Sequence, residues 1–138
     1  MTRILVVEDD QQVREVIKQT LSDQSYQMME AVNGAEAYQM TVDAAVAERP
    51  DLIVLDITIP ELNGYEVLEK LKANPQVAYI PVVIVSARNE TEDETRAMQA
   101  GAADYITKPW PPGELESRVK MVLDHRRASR PARVSLAN

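Results

Sequence analysis

Three short segments are continuously apolar and rich in β-branched residues, and they restrict the possible folds more than any other feature of the sequence. They are residues 4–7 (ILVV), 52–55 (LIVL) and 82–85 (VVIV). A strand with one face in water alternates apolar and polar residues, whereas a strand covered on both faces is apolar throughout. The three segments are therefore predicted to be strands at the centre of a parallel sheet.

Two weaker strands are expected at residues 26–31 and 104–107, where β-forming residues lie between turn signals. Helical patterns separate the strands. Strict alternation of strands and helices implies right-handed crossovers and a doubly wound α/β fold. The prediction is a five-stranded parallel sheet with five helices distributed over both of its faces.

The apolar spacing defines the predicted helices. In the first helix it places Arg14, Glu15 and Lys18 in water. The next three helices are expected over residues 35–48, from just after Gly64, and over residues 90–100. The apolar stripes are Val13, Val16, Ile17, Thr20 and Leu21 in the first helix, and Leu115, Val119, Val122 and Leu123 in the fifth.

Length and composition favour one cytoplasmic domain. The 138 residues suffice for a single core, placed in residues 1–127, while residues 128–138 are predicted to be a flexible C-terminal tail or the start of a linker. A net charge of −7 disfavours nucleic acid and anionic membranes as partners. The absence of cysteine fits a reducing compartment, and the first apolar segment is too short for a signal peptide or a membrane span.

Carboxylates follow two of the predicted central strands. Glu8, Asp9 and Asp10 come directly after the first strand, and Asp56 ends the third. Parallel strands end at one edge of a sheet, so these groups are expected to converge there. Crowded carboxylates need a cation, and oxygen ligands suit Mg²⁺, Mn²⁺ or Ca²⁺ better than Zn²⁺. We predict Mg²⁺, with Asp10 left open between this site and a helix cap.

The same edge is expected to carry a hydroxyl and an ammonium group, because Ser86 ends the fourth strand and Lys108 follows the fifth. A carboxylate nucleophile, a divalent metal, a hydroxyl and a lysine can together perform phosphoryl transfer. Each residue alone is more often an ordinary capping or loop residue. Their joint placement favours a site.

From about residue 3 to residue 126 the sequence resembles the CheY-like receiver domains of two-component response regulators. The resemblance lies in the motifs ILVVEDD, LIVLDITIPELNG, VIVSA and GAADYITKPW. It implies a flavodoxin-like sheet with strand order 2-1-3-4-5 and a phosphoacceptor switch that does not turn over small substrates. It also implies a sensor histidine kinase or phosphotransfer protein as donor, and a downstream effector protein or fused output domain. Homodimerisation stays open.

The resemblance also assigns roles to individual residues. The signal is expected to reach the face formed by the fourth helix, fifth strand and fifth helix. Lys108-Pro109 is expected to be a cis peptide bond. The assigned residues are Asp56 as phosphoacceptor, Glu8, Asp9, Asp56 and the backbone carbonyl of Thr58 as Mg²⁺ ligands, Lys108 as pairing cation, Ser86 as switch hydroxyl, and Tyr105 as the aromatic residue that turns inward with it.

The sequence departs from the common family pattern at several positions. Glu8 stands where Asp is frequent, and Trp110 where Phe is frequent. Residues 34–51 are about one helical turn longer than usual, which predicts a second helix that projects further.

Two other kinds of protein share part of this pattern. A phosphohydrolase of the haloacid-dehalogenase type would carry Asp-x-Asp-x-Thr, whereas Asp56-Ile57-Thr58 lacks the second aspartate. A pseudo-receiver would keep the fold and bind partners without phosphorylation. The presence of Asp56 together with Ser86 and Lys108 argues against it.

Overall fold

The computed structural model describes residues 2–22, 25–57, 63–87 and 91–129. In order, the strands are β1 (Thr2–Val7), β2 (Tyr26–Ala31), β3 (Leu52–Asp56), β4 (Val82–Ser86) and β5 (Asp104–Thr107). They form one sheet in the order β2-β1-β3-β4-β5, and every neighbouring pair is parallel. The predicted strand order is confirmed.

Helices connect the strands and cover both faces of the sheet. They are α1 (Gln11–Thr20), α2 (Gly34–Asp43), α3 (Gly64–Ala73), α4 (Thr91–Gln99) and α5 (Glu114–Ser129). Helices α1 and α5 pack on one face, and α2, α3 and α4 pack on the other. The predicted doubly wound architecture is therefore confirmed as well.

The central strands are apolar throughout because successive side chains enter opposite cores. In β1, Ile4 and Val6 pack with α1 and α5, whereas Leu5 and Val7 pack with the helices of the other face. All four are at most 1% exposed. Burial of apolar surface stabilises the folded state by roughly 25 cal/mol per Å². The strands that carry the site are stabilised in this way on both faces.

The predicted second helix over residues 35–48 is wrong at its C-terminal end. Helix α2 ends at Asp43, an extended residue follows, and Val46–Glu48 form a short 3-10 helix. An Arg3 Nη1 donates a hydrogen bond to the Ala47 carbonyl at 2.5 Å. The additional residues therefore form a turn bonded to β1, and they do not lengthen the helix.

Helix α1 also differs from its predicted pattern. Ile17 and Leu21 are buried as expected, but Val16 is 53% exposed. Arg14, predicted to face water, has a side chain only 12% exposed, and that of Lys18 is 24% exposed. Both cations pair with the Glu30 carboxylate on β2. The periodicity of α1 alone could not indicate this pairing.

Helix α5 runs to Ser129, across the predicted domain boundary at residue 127. Residues 130–138 of the predicted tail lie outside the described residues, so both the boundary and the tail stay predictions. Among the helices that the structure describes, none is long and apolar enough to cross a membrane.

Candidate functional site

The three acidic residues after β1 have different environments. Glu8 is buried, with 2% of its surface exposed, while Asp9 and Asp10 are exposed. The Asp10 carboxylate accepts hydrogen bonds from the backbone N–H groups of Gln12 (2.8 Å) and Val13 (3.1 Å). Asp10 is therefore the N-cap of α1, and the alternative left open for it is decided in favour of capping.

Asp56 is the last residue of β3 and is 3% exposed. Helix α3 begins close to it, since the Gly64 N–H donates to the Ile57 carbonyl at 3.0 Å. A Cβ on Gly64 would lie 2.5 Å from the Ile57 Cα and 2.8 Å from the Asp56 carbonyl oxygen. Only glycine fits this approach, which holds the end of β3 and Asp56 in place.

Lys108 enters the site from the loop after β5, where the Lys108-Pro109 peptide bond is cis, as predicted. Its Nζ donates to Asp56 Oδ2 at 2.8 Å and to Glu8 Oε1 at 2.9 Å. Its backbone N–H donates to the Ser86 carbonyl at 2.7 Å. Burial lowers the pKa of Lys108, but Asp56 and Glu8 outweigh it and hold the pKa above its usual value.

The crowding of carboxylates changes the pKa of Glu8. Burial, together with the hydrogen bond and negative charge of Asp56, raises the pKa of Glu8 to about 7, against the opposing effect of Lys108. A single lysine therefore does not offset both buried carboxylates. A second cation at this position would favour the ionised form of Glu8.

The carboxylates can hold that cation. One oxygen each of Glu8, Asp9 and Asp56 lies within 4.8 Å of the other two. An all-oxygen donor set with two buried members and one open to solvent fits a hard divalent ion such as Mg²⁺. These residues fit the metal expected from the sequence.

The two predicted switch residues lie on β4 and β5, the two strands that follow β3 in the sheet. Ser86 at the end of β4 is fully buried. Tyr105 on β5 is 6% exposed and belongs to the core that includes Ala97 of α4. The Tyr105 ring is therefore inward, and the hydroxyl of Ser86 is at the same sheet edge as the acidic cluster.

The structure describes all of the predicted site residues except Thr58. Thr58, the expected carbonyl ligand, lies outside the described residues, so its role stays a prediction.

Sequence reasoning missed Arg14, whose Nη1 donates to the Glu8 carbonyl at 2.9 Å. Its helical position suggested solvent, and no motif links it to the acidic loop.

The described residues thus form a five-stranded parallel sheet with an acidic cluster and Lys108 at the carboxyl ends of its strands. The sequence model of the response regulator receiver domain matches residues 4–120. The chain therefore belongs to the response regulator receiver domain family.

Two of the curated relatives are named transcriptional regulatory proteins. The phosphate regulon transcriptional regulatory protein PhoB of Escherichia coli (strain K12) is 41% identical over 121 residues, which cover 88% of this chain and 51% of PhoB. The KDP operon transcriptional regulatory protein KdpE of the same strain is 37% identical over 123 residues, covering 89% and 52%. The chain thus spans about half the length of these relatives.

Solved structures share the whole fold. A signal receiver domain of a signal transduction histidine kinase from Syntrophus aciditrophicus has a TM-score of 0.81 and 34% identity, covering 95% of each chain. A CheY-like response regulator receiver domain protein from Methanospirillum hungatei JF-1 has a TM-score of 0.81 and 27% identity, covering 93% of this chain and 98% of that one.

Proposed function

We propose that the chain is a phosphoacceptor switch in which Asp56 receives a phosphoryl group in a Mg²⁺-dependent reaction. The observation that carries this proposal is the contact of Lys108 Nζ with Asp56 Oδ2 at 2.8 Å, within a cluster of carboxylates suited to a divalent cation. Nucleophile and positive charge are already positioned together, which is the main requirement of phosphoryl transfer.

In the proposed reaction an Asp56 carboxylate oxygen attacks the phosphorus of a phosphohistidine. The new P–O bond forms as the P–N bond breaks, and the imidazole nitrogen keeps the electron pair of the broken bond. Glu8, Asp9 and Asp56, with the expected Thr58 carbonyl, would hold Mg²⁺, which neutralises charge on the phosphoryl oxygens when bound. Lys108 pairs with the transferred group, and the buried position of Asp56 limits access of water.

The donor is proposed to be a sensor histidine kinase or phosphotransfer protein. A groove of about 470 Å³ beside Lys108 supports this, because it is lined by Val13, Val16 and Trp110 as well as Pro109. The 53% exposure of Val16 gives the groove an apolar rim on which a partner helix can pack. A donor bound there would present its phosphohistidine next to Lys108 and Asp56.

The response is proposed to travel along the sheet to the surface of α4, β5 and α5. Phosphorylation would draw Ser86 toward the new group and bias the position of the Tyr105 ring. The relatives are named transcriptional regulatory proteins, which supports a downstream effector or fused output domain as partner. We propose that this partner binds the surface of α4, β5 and α5. We also propose a cytoplasmic location, no direct nucleic-acid binding by this domain, and no turnover of small substrates.

The test is intact-protein mass after incubation with acetyl phosphate, with and without Mg²⁺. We expect addition of one acid-labile phosphoryl group in the wild type with Mg²⁺, and none in Asp56→Asn, which keeps the shape of the side chain but removes the nucleophile. A second arm follows Trp110 fluorescence on addition of beryllofluoride and Mg²⁺.

A folded wild type that gains no mass and shows no fluorescence change would overturn the proposal and favour a pseudo-receiver. Labelling of Asp56→Asn equal to that of the wild type would place the chemistry on another residue.

A further inference from the structure

We propose that Arg14 is a positioning residue for the metal site. Its guanidinium fixes the peptide group of Glu8, and through it the directions of the Glu8 and Asp9 carboxylates. This inference rests on the proposed Mg²⁺-dependent function, and it adds a residue that lies outside the acidic cluster.

The Glu8 backbone is held on both sides just beyond the end of β1. Its N–H donates to the Ala31 carbonyl of the neighbouring strand at 3.1 Å. Its carbonyl, past the last paired residue Val7, accepts from Arg14 Nη1 at 2.9 Å. The guanidinium thus provides, from α1, the hydrogen bond that a sheet neighbour would provide inside a strand.

Arg14 is itself held rigidly. Its Nε donates to Glu30 Oε1 at 2.7 Å, and Lys18 Nζ donates to the other oxygen of Glu30 at 2.8 Å. Glu30 lies on β2 and pairs in register with Val6, two residues before Glu8. The planar guanidinium therefore connects α1, β2 and the acidic loop, with one donor on each neighbour.

The ionised state of Glu30 supports this arrangement. Hydrogen bonds from Lys18 and then Arg14 lower the pKa of Glu30 below its usual value. The carboxylate therefore anchors the guanidinium throughout the neutral pH range, and the second donor of Arg14 stays directed at the Glu8 carbonyl.

A positioning role and a simple charge effect predict opposite results. Arg14 is a cation close to the cluster that would hold Mg²⁺, so its charge alone opposes metal binding, and its removal would tighten binding. If Arg14 positions the Glu8 peptide, its removal instead loosens the ligands. Changes to such outer-shell partners typically weaken metal affinity by about 10–100-fold.

The experiment is calorimetric titration of the metal-free protein with MgCl₂ for the wild type, Arg14→Met, Arg14→Lys and Lys18→Met. We expect Arg14→Met to weaken Mg²⁺ binding about tenfold. Arg14→Lys should weaken it similarly, because one ammonium cannot reproduce the fork that reaches both Glu30 and the Glu8 carbonyl. Lys18→Met is the matched control: it removes a cation from the same Glu30 but has no contact with Glu8, and its affinity should stay within about twofold of the wild type.

A second readout separates positioning from general damage to the fold. At saturating Mg²⁺ the acetyl phosphate labelling rate of Arg14→Met should approach that of the wild type, and its thermal midpoint gives the stability of the variant. If Arg14→Met does not fold, Arg14→Lys against Lys18→Met decides the question.

Equal or tighter Mg²⁺ binding by Arg14→Met, or full affinity in Arg14→Lys, would overturn the positioning role alone. A wild type that binds no Mg²⁺ would overturn the proposed function, and the role of Arg14 with it.

Discussion

At the scale of single residues, Glu8 makes the stability of the metal-free protein depend on pH. Its pKa rises from the ordinary value of 4.5 to about 7 in the folded state. The folded protein therefore holds this proton more tightly than the unfolded chain. Stability from this group is fully present below about pH 4.5 and is lost as the pH rises through about 7, a loss on the order of 3 kcal/mol.

Glu8→Gln isolates this contribution, because glutamine keeps an oxygen for Lys108 but cannot ionise. In EDTA the variant and the wild type should have similar free energies of unfolding at pH 5. At pH 8 the variant should be more stable by about 2 kcal/mol, as measured by urea unfolding. A difference that does not change with pH would show that Glu8 titrates normally in the folded protein.

At the scale of elements, the start of α1 separates two neighbouring acids by function. Asp10 caps the helix, whereas Asp9 belongs to the carboxylate cluster. Asp10→Ala should lower the free energy of unfolding by about 1 kcal/mol and leave Mg²⁺ affinity nearly unchanged. Asp9→Asn should leave stability in EDTA unchanged and weaken Mg²⁺ binding by more than about tenfold. Urea unfolding and calorimetry on the same samples measure both, and a loss of Mg²⁺ affinity in Asp10→Ala would reject this division.

The bounds of the elements show where sequence patterns suffice. Strands β2 and β5 were predicted with their observed bounds because turn signals flank β-forming residues on both sides. The end of α2 was not predicted, because the sequence after Asp43 keeps helix-forming residues. The hydrogen bond from Arg3 to the Ala47 carbonyl joins residues that are far apart in the sequence. Tertiary contacts decided that boundary over local propensity.

At the scale of the whole molecule, the sequence predicts those site residues that lie at the carboxyl ends of strands. Topology alone brings Glu8, Asp56 and Ser86 to one edge, since parallel strands end together. Arg14 was unpredictable because its partners come from β2 and from a backbone carbonyl, and neither leaves a periodic signal. A sequence pattern thus locates reactive groups better than it locates the residues that orient them.

The strand order also predicts which residues should change in amide hydrogen exchange when Asp56 is modified. Asp56 ends the central strand β3, Ser86 lies next to it on β4, and Tyr105 follows on β5 within the core that includes α4. Strand β2 is the outermost strand on the other side of the sheet, beyond β1. With beryllofluoride and Mg²⁺, amide hydrogen exchange should therefore change in residues 91–107 and stay unchanged in 26–31. Ser86→Ala should still take up beryllofluoride but lose the exchange change, because in the proposed switch the Ser86 hydroxyl couples Asp56 to residues 91–107. An equal change in both regions, or a full response in Ser86→Ala, would contradict transmission through β4 and β5.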